Sequence, residues 1–522
     1  MTTRHHSNFM TSALLGGAAG IIALSGAQAA DLPVKAKAVE YVKICSLYGA
    51  GFYYIPGTDT CIRIGGALRV GTTFNGNPWD VPFFQGSTGG ANAYNRNYFG
   101  TRERTYLNID TRTNTDYGVV RTYASLLFDF SANRENIAGG YVENDFLFIQ
   151  FAGFTFGKAV SMFDPQWALS LPVIGTTTGA LSGSHDDTGI PLLAYTKEFG
   201  NGVSASLSLE DAQPYRSAGT ANMSLTGGTA LLGPFGSATV GYGTTANTFT
   251  GNSEGGDHVP DIVGNVRLDQ AWGSLHFGAA AHEVHGTYYT AAGGAIAGTT
   301  PLSDFGHPSS TWGYAFTGAF ELKNLPTGSA DSLKVVAAYG NGAAKYIFGG
   351  SYDSAGAGRF AKIGSGTGTG GSMGFGYVLD GVYGNGTSIS TSSAWQAAGF
   401  YEHYWNPAWR TSVFASYSHI QYGSAGDALL LAAANGGRLS TGTTTATGNF
   451  NLALGEIGTR TAWTPVKDLT FAAEFSYVRL YQHLNGIFTD TGTAIPGVAA
   501  GTTYQLKDQN LLQGAVEVRR NF

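Results

Sequence analysis

The chain has 522 residues, a formal net charge of −6, and 12% charged residues, about half the usual fraction. No run after residue 30 approaches the roughly 18 consecutive apolar residues of a membrane-spanning helix, and the acidic balance argues against nucleic-acid binding. The 77 glycines, 28 tyrosines and 31 phenylalanines favour many short strands with turns and aromatic bands. A soluble glycine-rich secreted solenoid has similar totals, so the residue pattern must decide between the two.

The N-terminus has the pattern of a secretory signal. Arg4, His5 and His6 precede an apolar run over 13–26, and Ala27-Gln28-Ala29 supplies the small residues of a cleavage site. A membrane anchor is the alternative, but it needs about 20 apolar residues, and this run is shorter and contains four glycines. We therefore predict a signal peptide over 1–29 and a single mature domain over 30–522.

Alternation with period two marks the first predicted strand of the mature chain. One face carries Ile62, Ile64, Leu68 and Val70, and the other carries Arg63, Gly65, Ala67 and Arg69. Such a strand has one apolar face and one face made of small or cationic residues. Arginines opposite an apolar face need contact with water, which favours a wall that separates lipid from water.

Two hairpins follow the same pattern. Residues 112–118 supply turn chemistry, and beyond them apolar residues alternate with Arg121 and Tyr123. A second hairpin turns at Gly200-Asn201-Gly202, after which apolar residues alternate with serine over 203–209.

Short turns alternate along the chain with long stretches rich in Gly, Thr, Ser and Ala. Further short turns are predicted at 269–273, 406–409 and 465–468, and the long stretches cover 76–100, 216–260, 286–310, 347–372, 424–447 and 484–503. This asymmetry is typical of outer-membrane β-barrels. We predict an all-β chain that forms a transmembrane antiparallel β-barrel of about 16 strands; 18 strands would also fit the length.

Two segments resemble a known family. Residues 31–36 and 39–66 resemble the mature N-terminus of the alphaproteobacterial general porins, and Ile149-Gln150-Phe151-Ala152-Gly153-Phe154-Thr155-Phe156-Gly157 resembles that family's approach to its constriction loop. The resemblance implies a 16-stranded barrel in the outer membrane, a homotrimer, and passive diffusion of small hydrophilic solutes.

The two cysteines of the chain, Cys45 and Cys61, flank a segment that contains Gly49, Gly51 and Pro56. Export to an oxidising compartment favours a disulfide between them, which would close a loop of about 15 residues and stabilise the fold by about 3 kcal/mol in the chain-entropy model. Two reduced thiols are the alternative. Metal binding is disfavoured because no further Cys or His cluster accompanies them in the sequence.

A segment over about 158–190 lacks clean alternation and is the predicted constriction loop. It carries Asp164, Asp186 and Asp187, which we expect to face a group of arginines on the wall: Arg63, Arg69, Arg104, Arg112 and Arg121. Opposed charges in a narrow pore set ion preference. The alternatives are that the arginines pair with neighbouring carboxylates, and that Asp186-Asp187 is a solvated loop tip or binds a divalent cation.

The C-terminus predicts a closing strand. Apolar residues alternate from Leu512 to Val518, and the chain ends on Phe522, which we interpret as an insertion signal for the barrel assembly machinery. Arg520 interrupts the apolar row, and a position near the barrel rim would let its side chain extend toward lipid headgroups.

The candidate enzymatic motifs lack the spacing or the structural context that their chemistry requires. His282-Glu283-Val284-His285 lacks the histidine spacing of a helical zinc site, residues 366–371 match a dinucleotide fingerprint only within a low-complexity loop, and Ser182 lacks a strand-turn-helix context. We therefore expect a channel without a cofactor, not an enzyme. A solute-specific channel or an adhesin-like barrel is the alternative, and a barrel protease or lipase is a more distant one.

Overall fold

A computed structural model describes eleven parts of the chain. They are residues 43–75, 99–131, 141–174, 189–211, 218–224, 253–290, 302–348, 359–363, 371–436, 442–490 and 499–522. The predicted signal peptide over 1–29 lies outside these residues.

Sixteen of the strands form one closed antiparallel wall, which confirms the predicted barrel and its strand number. We number them in chain order: β1 Thr60–Phe74, β2 Phe99–Thr115, β3 Gly118–Ser131, β4 Tyr141–Phe151, β5 Phe154–Ala159, β6 Ile190–Gly200, β7 Val203–Glu210, β8 Asp261–Gln270, β9 Gly273–Val284, β10 Thr311–Lys323, β11 Ser332–Asn341, β12 Ser393–Asn406, β13 Trp409–Gln421, β14 Gly442–Val466, β15 Leu469–Asp490 and β16 Gln509–Asn521. Strand β16 pairs with β1, with Val518 opposite Val70, and this pairing closes the barrel.

Smaller elements lie outside this wall. They are the strands Tyr53–Tyr54, Gly219–Asn222, Arg359–Ile363, Gly371–Tyr377, Leu379–Tyr383, Ser390–Thr391 and Thr503–Leu506, the 3₁₀ helices Ser46–Tyr48, Leu302–Phe305 and Ala344–Tyr346, and helix α1 at Gly423–Asn435. In the described parts of the chain, no helix has both the length and the apolar character needed to cross a membrane.

The two ends of the barrel differ in their connections. At the turn end, tight turns join β2 to β3, β4 to β5, β6 to β7, β8 to β9, β12 to β13 and β14 to β15. Asn201 and Asp468 adopt φ values of 52° and 64° in two of these turns, a conformation that Asn and Asp tolerate. The strand ends that the long connections join lie at the opposite end, the loop end, as the sequence predicts.

The outward face of the barrel is apolar and has aromatic bands. Trp395 and Trp405 are ten residues apart on β12 and are 43% and 66% exposed. At about 3.3 Å per residue and a tilt of about 40°, they are separated by about 25 Å along the barrel axis, the height of the apolar band of an outer-membrane barrel. Trp409 and Trp463 stack at the turn end with ring centroids 5.6 Å apart.

Strands β14 and β15 extend far beyond this band, and a second packed core lies on the inner side of their loop ends. Leu480, Leu484 and Phe488 of β15 pack there with strand Gly371–Tyr377 and helix α1. The sequence pattern predicted only a long loop over 424–447, whereas the structure has helix α1 followed by the start of β14. Burial against this core, more than helix propensity, stabilises so short a helix.

The N-terminal described segment folds over the turn end. Cys45 and Cys61 form a disulfide with their Cα atoms 6.1 Å apart, which confirms the predicted bond. Both cysteines are buried and pack with Phe52, Tyr48 and Tyr54.

Candidate pore constriction

Residues 160–174, which follow β5, run inside the barrel. Their hydrogen bonds reach inward-facing side chains on seven strands, met in this order round the wall: Glu210 on β7, Asn265 on β8, His276 on β9, Lys334 on β11, Ser412 on β13, Glu474 on β15 and Arg69 on β1. The neighbours of these side chains, such as Phe277 and Val413, are exposed on the outer face. Because alternate residues point to opposite sides of a strand, the segment lies on the lumen side.

Backbone groups of this inward segment make most of these contacts. The Met162 N–H donates to Glu210 at 2.8 Å, and the Ile174 N–H donates to Glu474 at 2.5 Å. In the other direction, Lys334 donates to the Ser170 carbonyl at 2.6 Å. Buried backbone groups need such partners, and here the wall supplies them.

Trp167 anchors the middle of the inward segment. Its indole is 5% exposed and packs with Val336, Phe400 and Phe414 on three consecutive wall strands. Burial of a side chain of this size is worth several kcal/mol, so it holds the segment against the wall.

Three of the predicted arginines cluster at the turn end. Arg112 and Arg121 each donate two hydrogen bonds to the Asp110 carboxylate, at 3.0–3.2 Å, and a nitrogen of Arg63 lies 3.8 Å from it. The Phe52 ring covers the guanidinium groups of Arg63 and Arg112, with the ring centroid 5.0 and 4.9 Å away. This group lies beneath the disulfide-linked segment, on the wall of β1 to β3.

Arg69 and Arg104 lie farther from the turn end and face each other in the register of β1 and β2. Arg104 donates to Asp129 at 2.8 Å, and Arg69 pairs with Glu517 and donates to the carbonyl of Ile174 at 2.8 Å. Of the five arginines, Arg69 has a described contact with the inward segment. Each of the five arginines thus pairs with a neighbouring carboxylate, which is the alternative interpretation given in the sequence analysis.

The predicted aspartates have different positions. Asp164 is buried at the β9 side of the barrel, where the carbonyl of the neighbouring Phe163 accepts a hydrogen bond from His276 and the Phe163 ring packs on Tyr346 at 4.7 Å between centroids. The described part of the inward segment separates it from Arg69, which lies at the segment's other end. Asp186 and Asp187 lie outside the described residues.

The far wall carries charged residues that the sequence analysis did not single out. Glu402 forms an ion pair with Arg410 at 3.3 Å and lies 3.8 Å from Arg460, and Lys334 lies 3.7 Å from Glu321. All five alternate with outward-facing residues on β10 to β14. The alternation within each strand could have identified these residues from the sequence, because each charged residue falls on the face opposite to the exposed aromatic residues.

The chain end lies against β1. The N–H and carbonyl of Phe522 exchange hydrogen bonds with Gly66 at 3.0 and 2.9 Å, and the Phe522 ring lies over Gly66. A Cβ at position 66 would be 2.0 Å from the Tyr106 carbonyl, so only glycine fits there. Arg520 is exposed at the turn end and donates to the Lys467 carbonyl, as expected for a rim position.

Comparison with known proteins identifies the family. The model of the porin subfamily matches residues 31–515. Porin Omp2b of Brucella suis biovar 1 (strain 1330) is 32% identical over 277 residues, covering 51% of this chain and 63% of its own length, and porin Omp2b of Brucella abortus (strain 2308) is 32% identical over 276 residues, with the same coverage. The chain thus spans less than two thirds of the length of these curated relatives.

Among solved structures, the outer membrane channel DcaP of Acinetobacter baumannii aligns over 90% of this chain and 99% of its own, with a TM-score of 0.53 and 12% identity. At that identity the likeness concerns the fold, and it agrees with the closed barrel described above. The family match covers nearly the whole predicted mature chain. The chain belongs to the porin subfamily and is a β-barrel of the bacterial outer membrane.

Proposed function

We propose that this protein is a passive channel through which small hydrophilic solutes and ions diffuse across the outer membrane. The observation that carries the proposal is the inward segment, which crosses from β7 to β1 inside a closed barrel with an apolar outer face. A wall that is apolar outside and charged inside supports a water-filled path, and a segment held within it narrows that path.

Charged groups on both sides of the water-filled path set its preference among ions and solutes. Arg63, Arg69, Arg104, Arg112 and Arg121 stand on β1 to β3, and Glu321 and Glu402 stand on the far wall. Asp164, Asp186 and Asp187 complete the constriction with the loop over about 158–190. The resulting transverse field orients dipolar solutes and disfavours apolar ones.

Planar-bilayer recording from the purified barrel tests the proposal. Stepwise, ohmic conductance with little discrimination among small sugars is the expected result. Absence of any conductance from folded protein would overturn it.

A solute-specific channel is the second candidate, and one observation favours it. The packed core formed by helix α1, strand Gly371–Tyr377 and the loop ends of β14 and β15 occupies part of the loop-end interior. Such a core narrows the pore entrance and can present a surface whose shape fits one solute. Conductance that saturates and is blocked by a single sugar would support this candidate over the first.

The remaining assignments follow the family. We propose that residues 1–29 are removed as a signal peptide, which agrees with a family match that begins at residue 31. The barrel contacts outer-membrane lipid, assembles as a homotrimer, and uses Phe522 as the signal for the barrel insertion machinery. It requires no cofactor and has no enzymatic activity. Cross-linking of the detergent-solubilised protein tests the trimer, since three linked chains are expected.

A further inference from the structure

Three metal-ligand side chains meet at the loop end of β8 and β9. His258, Glu283 and His285 each offer one ligand atom, and these atoms lie within 4.8 Å of one another. The His258 and His285 rings have centroids 4.0 Å apart, and His258 Nδ1 is 3.9 Å from a Glu283 oxygen. No local sequence motif contains all three residues, because residue 258 is far in sequence from residues 283 and 285.

The backbone holds the two segments together. The antiparallel pairing of β8 and β9, which sets Ile262 opposite Ala281, resumes beyond the strand ends at a bridge between Glu254 and Gly286, and His258 lies in the bend between the two paired parts. Gly255 N–H donates to the His285 carbonyl at 3.0 Å, and the Thr287 N–H donates to Ser253 at 2.8 Å. Pairing on both sides of the bend therefore fixes the position of His258 beside β9.

The side chains are also oriented. His285 Nδ1 is 2.7 Å from the Ser310 hydroxyl, which leaves Nε2 as the ring nitrogen for a ligand. A Glu283 oxygen accepts a hydrogen bond from the backbone N–H of His258 at 3.3 Å, which holds the carboxylate beside both rings. A hydrogen bond to the second nitrogen of a histidine is the usual support of a metal ligand.

We propose that His258, Glu283 and His285 bind a divalent transition-metal ion of the zinc, nickel or copper type. Two imidazoles and one carboxylate suit these ions, and water fills the remaining positions. Zn–N and Zn–O bonds of about 2.0–2.2 Å require each donor to move inward by about 1 Å. His258 can make this movement, because its side chain is 59% exposed.

Titration of Zn²⁺ into metal-free, tag-free folded barrel, followed by calorimetry, tests the site. One Zn²⁺ per chain is expected, with at least tenfold weaker binding in His258→Ala and in Glu283→Gln. His483→Ala is the matched control, because it removes an exposed histidine from β15, far round the barrel from the site. Absence of binding to the unchanged protein, or equal binding by all three variants, would overturn the proposal.

Two further measurements remain informative if one variant folds poorly. Electron paramagnetic resonance with Cu²⁺ as the probe should show coupling to two imidazole nitrogens, reduced to one in His258→Ala; a spectrum without nitrogen coupling contradicts the site. Gly255→Ala removes no ligand, but its Cβ would lie 2.7 Å from His285 Nε2 and displace the ring. Weaker Zn²⁺ binding is expected, and unchanged binding would show that His285 is not a ligand in this geometry.

Discussion

Asp110 accepts two hydrogen bonds from Arg121, one to each carboxylate oxygen at 3.1 Å, and an equivalent pair from Arg112. The Asp110 side chain is 2% exposed, so one nearly buried carboxylate orders two arginines on the lumen wall. Charge-assisted pairs of this geometry hold the guanidinium groups in fixed positions.

Asp110→Asn should therefore change both stability and ion preference. Loss of the charged acceptor is expected to lower the free energy of unfolding by about 1–3 kcal/mol. It also leaves the positive charge of Arg63, Arg112 and Arg121 unbalanced, which should shift the reversal potential in a salt gradient toward anions. Asp116→Asn, in the exposed turn of the same hairpin, is the control and should leave both quantities unchanged. An unaltered reversal potential in Asp110→Asn would place this cluster outside the ion path.

Trp167→Ala should loosen the inward segment. Truncation of this buried indole removes its packing with Val336, Phe400 and Phe414 and is expected to destabilise the segment by about 3–5 kcal/mol. Single-channel recordings should show larger and noisier conductance. Trp272→Ala, in the exposed turn between β8 and β9, is the control, and a quiet conductance of unchanged size in Trp167→Ala would argue against a narrowing role of the segment.

Removal of the disulfide should weaken the turn end without closing the pore. In denaturant titration, the free energy of unfolding of the Cys45→Ser, Cys61→Ser double variant is expected to be lower by about 3 kcal/mol, because the unfolded chain regains the conformational freedom of the loop. Reducing agent should have the same effect on the unchanged protein and none on the variant. Equal unfolding midpoints for the oxidised and reduced proteins would contradict this expectation.

Combined Asp186→Asn and Asp187→Asn substitution tests the predicted acidic side of the constriction. Removal of two negative charges should shift permeability from cations toward anions, with unchanged stability. Reversal potentials in a salt gradient give the answer. If they do not move, the two residues lie away from the narrow part of the pore.

Phe522→Ala separates recognition from barrel closure. The hydrogen bonds to Gly66 use backbone atoms and persist in the variant, so the refolded barrel should differ in unfolding free energy by less than about 1 kcal/mol. The amount of barrel assembled in cells should fall, because the aromatic signal is lost. Normal cellular assembly would refute the role of Phe522 as an insertion signal.

The local pattern predicts a large part of this fold. The side-chain period of a strand is two, so Ile64 and Leu68 on one face and Arg63 and Arg69 on the other can be assigned from sequence alone. Turn residues such as Gly200-Asn201-Gly202 mark the strand ends because few residues adopt positive φ. The succession of strands and the two unlike ends of the barrel follow from these local rules, whereas the choice of 16 over 18 strands came from the family resemblance and the disulfide prediction from expected export.

Height along the barrel and contacts across it do not follow from sequence alone. The five arginines share the lumen face, yet the stagger of neighbouring strands and their pairing partners separate Arg63, Arg112 and Arg121 from Arg69 and Arg104. Asp164 lies near β9 because the inward segment follows the wall, and the segment's own sequence carries no mark of that path. Helix α1 forms where a core exists to bury it.

Sequence thus determined which residues face lipid and which face water, because that choice depends only on the alternation within each strand. Only the tertiary structure decided which of the inward residues meet. Closure of sixteen staggered strands brings together residues hundreds of positions apart, such as Arg69 and Glu517, and the bend before β8 brings His258 to His285. These encounters depend on the register of every intervening strand pair, which no local pattern encodes.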